Sequence, residues 1–169
     1  MSIDSAASIE IMFIPGVVWG AGQKEMVLNQ LITLLPQSPY SPGADSVERF
    51  FLACCTVEKS ENERNLIALA HAGDGRLCGF AQFRFYGSDS DLDFILVDAQ
   101  HRGKGYARLL LNDSFEKLRS EGVSRVVLEV STQNSAAHAL YQSFGFSELA
   151  VRKKYYRNGE DAVIMEKRI

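Results

Sequence analysis

The chain has 169 residues, 46% of them hydrophobic and 23% charged, with a net charge of -3. That suits one soluble globular domain with a full core and argues against a general nucleic-acid binder, leaving any basic patch local. Its three cysteines, Cys54, Cys55 and Cys78, are odd in number, include an adjacent pair and match no zinc spacing, which argues against a disulfide framework and fits a reducing, cytoplasmic setting.

The N-terminus MSIDSAASIE is mildly acidic, and the apolar run from Ile11 to Trp19 is broken by Pro15 and Gly16. Neither a signal peptide nor a membrane span is expected. Ser8 to Ile14 reads as the first strand, stopped by that Pro-Gly pair. From Gln23 to Leu35, Val27, Leu28, Leu31, Leu34 and Leu35 recur at helical spacing and end before Pro36. The segment PQSPYSPGADS has three of the four prolines and reads as an exposed loop. A second helix follows, capped by Asp45 or Ser46, with Val47, Phe50, Phe51 and Cys54 on one face.

Asn65 to Ala72 and Arg76 to Tyr86 flank GDG as an antiparallel hairpin, and after a turn over Gly87 to Asp91 the run Leu92 to Val97 adds a third strand. From Gly105 the period changes. Ala107, Leu110, Leu111, Ser114, Phe115 and Leu118 mark a helix face, with Gly122 as its stop. Ser124 to Ser131 is again a strand. Asn134 then caps a helix carrying Ala137, Leu140, Tyr141 and Phe144 on one face, with Gly145 as its stop. Ser147 to Tyr156 and Asp161 to Lys167 close the chain as strands around RNGE. The order β α α β β β α β α β β predicts an α/β (α+β) domain with a mixed, mostly antiparallel sheet of seven strands and four helices. Only its strand–helix–strand middle requires parallel pairing.

Three features bear on chemistry. Between the strand ending at Val97 and the following helix lies RGKGYA. There Gly103 and Gly105 allow a close backbone approach, and the first helical amides, the helix dipole, Arg102, Lys104 and Arg108 favour an anion. Such a turn is also compatible with a plain solvated connection; it is neither a Walker loop nor a Rossmann fingerprint. Glu129 sits inside VVLEV, on one face with Val127 and Ser131. In that apolar run it is expected to have a raised pKa, as a general base has, or else to be a sheet-edge glutamate in solvent. Tyr141 lies on the apolar stripe of its helix, and is either packing or a proton donor to a departing thiolate. Asp89, Asp91 and Asp93 imitate the start of an EF-hand without its glycine or its glutamate, and read as turn and strand-edge residues, Asp93 sharing a face with Ile95. His71, His101 and His138 are scattered, so no metal site is expected, and Cys78 reads as strand packing.

The strand, the RGKGYA turn, the helix, the LEV strand and NSAAHALYQSFGF together resemble the GNAT superfamily of acetyl-CoA-dependent N-acetyltransferases. Its motif, Arg or Gln, x, x, Gly, x, Gly or Ala, fits from Gln100 or from Arg102; the family's distance from the strand end favours Arg102, Gly105 and Ala107. The last third, from Leu128 to Met165, is most similar to the ribosomal-protein-alanine N-acetyltransferases and related N-terminal protein acetyltransferases. SPYS, from Ser38 to Ser41, stands where these usually carry Pro-Trp-Ser, with Tyr40 in place of the tryptophan.

The resemblance implies acetyl-CoA as co-substrate, Glu129 as general base and Tyr141 as general acid. It places Gly103, Lys104, Gly105, Tyr106, Ala107 and Arg108 around the pyrophosphate. It also places Ile95, Leu96, Val97 and Asn134 along the pantetheine arm, and Tyr40, Tyr155 and Tyr156 at the acceptor's entry. The acceptor it implies is a protein N-terminus, a ribosomal protein among the candidates, with a small amine or amino acid as the alternative and a non-catalytic acyl-CoA sensor as a reading of another class. Neither a nucleic acid nor a membrane is an expected partner, and the chain is expected as a monomer or weak dimer.

Overall fold

A computed structural model describes residues 7–14, 23–34 and 63–169. The predicted second helix, Cys54, Tyr40 and the loop from Pro36 to Ser46 lie outside the described residues. Within them the strands are β1 (Ser8–Ile14), β2 (Glu63–His71), β3 (Leu77–Tyr86), β4 (Asp89–Val97), β5 (Arg125–Ser131), β6 (Ser147–Arg152) and β7 (Ala162–Arg168). The helices are α1 (Gln23–Leu34), α2 (Tyr106–Ser120) and α3 (Ser135–Ser143), with a 3-10 turn at Ala99–His101.

One seven-stranded sheet runs β1-β2-β3-β4-β5-β7-β6. Every neighbouring pair is antiparallel except β4 and β5. The parallel pair follows from α2, the crossover between these strands, since parallel neighbours need a long connection. The strand β4 begins three residues before the expected Leu92. Its leading Asp-Ser-Asp is polar, but Asp89 and Asp91 sit on the open face, where Arg125 and Arg84 neutralise them across the strands at 3.2 and 3.5 Å. The expected last-but-one strand stops at Arg152 and not at Tyr156, because Lys154 turns into the left-handed region at φ 51°.

The core lies between the sheet and α2. Leu110, Leu111, Phe115 and Leu118 are buried against Leu66, Phe83, Val126 and Leu128, and Phe115 meets Phe83 edge-on with centroids 6.1 Å apart. Each such side chain contributes about 1.5–3 kcal/mol when fully buried. Cys78 is also in this core, its thiol donating to the Ala70 carbonyl at 3.3 Å.

The end of α3 fixes Tyr141. Gly145 takes φ 84°, which lets the Phe146 amide reach back to the Tyr141 carbonyl at 3.1 Å and the Gly145 amide to that of Gln142 at 2.9 Å. This is a Schellman closure, and its usual apolar contact is the edge-on packing of Phe146 on Tyr141, 5.7 Å between centroids. A helix stop read from one glycine thereby sets the position of a candidate site residue.

Candidate active site

The parallel register of β4 and β5 begins at Asp89 opposite Arg125 and ends at Leu92 opposite Leu128, although β4 continues to Val97 and β5 to Ser131. The cause is one extra residue. Against β3, Phe83 faces Leu92 and Gln82 faces Phe94, so Asp93 is the bulge. A bulge bends and twists its strand, and past it the two strands part. Their inner edges are then not paired with each other, so an extended ligand can complete the ladder. The cleft in the split is lined by Asp93, Ile95, Glu129, Asn134, Tyr141 and Tyr156.

At the far end of β4 lies the glycine turn. Gly105 is the N-cap of α2 at φ 90°, and Gly103 lies at φ 74°, both in the region glycine tolerates. The amides of Arg108 and Leu109 donate to the Gly105 carbonyl at 2.9 and 3.1 Å. Among the described residues, those of Gly103, Lys104, Gly105 and Ala107 donate to no backbone carbonyl. They stand at the positive end of the helix dipole. The turn opens onto a cleft lined by Val97, Lys104, Gly105, Ala137 and Leu140. This cleft adjoins the split at Ala137.

The three basic residues of the turn divide their work. Arg102 donates from Nε to the Val97 carbonyl at 3.1 Å, tying the turn to the strand end. Arg108 donates from Nη2 to Ser143 Oγ at 2.9 Å and lies over the Phe144 ring, bracing α2 on α3. Lys104 is exposed beside the cleft. Tyr106 is buried, with its ring edge-on to His101 at 5.7 Å between centroids. His101, which the sequence reading set aside, lines the same cleft with Nδ1 2.6 Å from Asp98 Oδ2.

Of the two settings expected of Glu129, the structure shows the more open one. The apolar neighbours Val126, Leu128 and Val130 point into the core, while Glu129 faces the mouth of the split with 32% of its side chain exposed. It is therefore not a carboxyl sealed in an apolar pocket. Its Oε1 accepts from Arg152 Nη1 at 2.6 Å and its Oε2 from the Tyr155 hydroxyl at 2.9 Å. The hydrogen bond to Glu129 is the main reason that the Tyr155 phenol titrates above its ordinary value, with burial second. Tyr156 packs edge-on against Tyr155 at 5.2 Å, and its hydroxyl lies 3.5 Å from the Glu129 carbonyl.

Tyr141 lies deeper, 5% exposed, in the same cleft. Burial pushes its phenol well above the ordinary value, and Tyr156 adds to that push, so the proton stays on the oxygen. Asn134 caps α3, its Oδ1 accepting from the Ala137 amide at 3.2 Å. That leaves the Asn134 side-chain N–H₂ as the part of the residue with protons to offer the cleft.

The structure thus brings together the split strands, Asn134, Glu129, Tyr141, Tyr155 and Tyr156, and sets the turn beside them. Sequence reading missed Arg152 and Arg84. Arg84 lies on β3, 3.2 Å from Asp93. Nothing in the charged run RKKYY marks its first residue as the partner of a glutamate 23 positions upstream. Among the described residues no group of three or more His, Cys, Asp or Glu side chains is placed to hold a metal ion.

A family model described as the acetyltransferase (GNAT) family matches residues 28–146. The [ribosomal protein bS18]-alanine N-acetyltransferase of Salmonella typhimurium is 37% identical over 131 residues, covering 73% of this chain and 88% of that protein. The Escherichia coli K12 protein of the same name is 37% identical over 95 residues, covering 54% of this chain and 64% of its own. The crystal structure of the Escherichia coli ribosomal-protein-S18-alanine N-acetyltransferase superposes with a TM-score of 0.72 at 25% identity, covering 96% of this chain and 94% of that one.

Proposed function

The chain belongs to the acetyltransferase (GNAT) family, and on that premise we propose that it moves the acetyl group of acetyl-CoA onto the N-terminal α-amine of a protein. An alanine-led ribosomal protein is the first candidate, because relatives of more than a third identity carry that activity in their names.

One observation carries the reading. Glu129 and Tyr141 face a single cleft at the split, and that cleft joins a turn whose amides are open to an anion. The amides of Gly103, Lys104, Gly105 and Ala107, with Lys104, suit a pyrophosphate. The inner edge of β4 from Ile95 to Val97 and the Asn134 amide suit an extended arm bearing amide groups. When bound, acetyl-CoA supplies an acyl carbon open to attack and a sulfur that leaves as thiolate.

The chain's residues do the rest. Glu129 takes the proton of the acceptor amine, directly or through one water, as the nitrogen bonds to the acyl carbon. An inner-edge amide of β4 donates to the acyl oxygen, where negative charge develops. Tyr141 donates a hydrogen bond to the departing sulfur as the carbon–sulfur bond breaks. The thiolate of a thiol with pKa about 8.5 is a weaker base than this phenolate, whose phenol has an ordinary pKa already about 10. Tyr141 therefore acts as a donor in the transition state and keeps its proton afterwards. The acceptor's proton cost favours an α-amine. Neutralising one of pKa about 7.8 at pH 7 costs about 1 kcal/mol, against about 4.6 kcal/mol for a lysine of pKa about 10.4.

The test is acetyl-CoA turnover on a library of N-terminal peptides, with mass spectrometry locating the modified nitrogen. Acetylation is expected on the α-nitrogen of alanine-led peptides and should fall about 10²- to 10⁴-fold in Glu129→Gln, the usual contribution of a general base. Acetylation confined to lysine side chains would overturn the assignment.

A further inference from the structure

Both oxygens of Glu129 are already engaged. Oε1 holds the Arg152 guanidinium at 2.6 Å and Oε2 the Tyr155 hydroxyl at 2.9 Å. Arg152 stands at the end of β6, 54% exposed, with its guanidinium carbon 5.6 Å from the centre of the Tyr155 ring. Among the described residues, the other charged groups at this mouth are paired as well. Asp93 on β4 and Glu129 on β5 are the first residues past the last paired step, and both line the acceptor side of the split. Arg84 on β3 lies 3.2 Å from Asp93 and 3.5 Å from Asp91. From α3 comes only the neutral Tyr141, and from the connection between β6 and β7 the phenols of Tyr155 and Tyr156.

An amine with a pKa of about 7.8 is mostly an ammonium at pH 7, and an ammonium seeks a carboxylate. Among the described residues, Glu129 and Asp93, the carboxylates facing the acceptor side of the split, each have a guanidinium beside them. Two cations sharing Glu129 repel each other, by roughly 1–4 kcal/mol at 4 Å for effective dielectric constants between those of water and a protein surface. A neutral amine meets no such repulsion, and its lone pair faces the acyl carbon as the reaction needs.

From this geometry we infer that Arg152 is a positioning residue that makes the site admit its acceptor as the neutral amine. It fills the place at Glu129 where an ammonium would lodge unproductively. The inference rests on the N-terminal acetyltransferase reading above. It also gives binding a selectivity of its own. At pH 7 a lysine side chain presents about 400-fold less neutral amine than an α-amine, from the 2.6-unit difference in ordinary pKa, and should bind correspondingly more weakly.

The experiment measures binding of an alanine-led peptide to the CoA-loaded protein between pH 6 and 9.5. The propionyl-led peptide, which lacks the amine, serves as control for titration of the protein itself. Wild type should gain affinity by about tenfold per pH unit below the amine's pKa and level off above it. In Arg152→Met, which keeps the apolar stem on Tyr155, that slope should flatten or reverse, and at pH 7 both KM and kcat for the peptide should fall together. In a Glu129→Gln background, where the carboxylate beside Arg152 is gone and Asp93 stays with Arg84, Arg152→Met should leave the slope unchanged, an outcome that a merely structural role would not produce. A wild-type slope retained in Arg152→Met would overturn the inference and leave the acetyltransferase reading standing. Failure of wild type to bind or acetylate any alanine-led peptide would remove both.

Discussion

Leu92 and Leu128 are the last opposed pair between β4 and β5, and their side chains, 6% and 3% exposed, close the core beneath the split. Alternate amides of a strand point to its two neighbours. Half of those from Asp93 to Val97 therefore face β3, and half face the opening. The second set should exchange with deuterium quickly in the free protein. They should slow when acetyl-CoA is added, together with the amides of Gly103 to Ala107, while those of β2 stay unchanged. Mass spectrometry of short exchange times would show this. Full protection of Asp93 to Val97 without ligand would mean that the split is closed in solution.

Gly105 is the N-cap of α2 in the glycine turn proposed to hold the pyrophosphate. Its φ of 90° lies where a side chain is strained by about 1–2 kcal/mol, and a carboxylate there would stand where an anion is to be held. Gly105→Glu is therefore expected to lose acetyl-CoA binding by calorimetry while keeping its circular dichroism spectrum. Strain alone would lower the melting temperature and leave affinity intact, which separates the two causes.

How far the sequence carried the fold follows from where periodicity is strong. The stripe from Ala107 to Leu118 and the stops at Gly122 and Gly145 predicted α2 and the end of α3, because apolar spacing and a left-handed glycine are local facts. The end of β6 was missed because Lys154 turns without a glycine, held by a carboxylate seven residues away. The sequence left two environments open for Glu129, an apolar setting or an open one, and the structure shows the open one. Period two turns Leu128 and Val130 to the opposite face, but only tertiary structure shows which face is the core and that Arg152 arrives from β6. Asp93 shows the same limit, since a bulge exists only relative to a partner strand.

Tyr141→Phe separates chemistry from stability. The ring packs on Phe146 in both proteins, and the hydroxyl makes no hydrogen bond among the described residues. Stability near neutral pH should change little, whereas kcat should fall about 10²-fold or more. The pH dependence has a definite sign. Burial holds the phenol above its unfolded value of about 10, so the unfolded chain loses this proton first as pH rises, and the folded state loses stability from about pH 10 upward. The phenylalanine variant lacks that loss and should unfold at a higher pH in an alkaline titration. Equal alkaline midpoints would place the hydroxyl in water and not in the cleft.

Asp161 holds the connection that carries Tyr155 and Tyr156. Its Oδ1 accepts from the Lys154 amide at 2.8 Å, its Oδ2 pairs with Lys153 Nζ at 2.8 Å, and its carbonyl accepts from the Thr132 amide at 3.0 Å. The neighbouring Glu160 accepts from the Ser131 hydroxyl, fixing the same connection to the end of β5. Lys153 first, and then the Lys154 amide, hold the Asp161 carboxyl below its ordinary value. A depressed carboxyl contributes in full above its unfolded pKa of about 3.9 and loses that contribution as pH falls through the lower folded value. The tie is therefore complete at pH 7 and released only in strong acid. Asp161→Asn removes the charge and keeps the size. It should free Lys154 from its left-handed turn, speed tryptic cleavage at Lys153 and Lys154, and raise the KM for a peptide acceptor several-fold without changing the affinity for acetyl-CoA. Faster cleavage with an unchanged acceptor KM would show that Tyr155 and Tyr156 stand outside the acceptor's path.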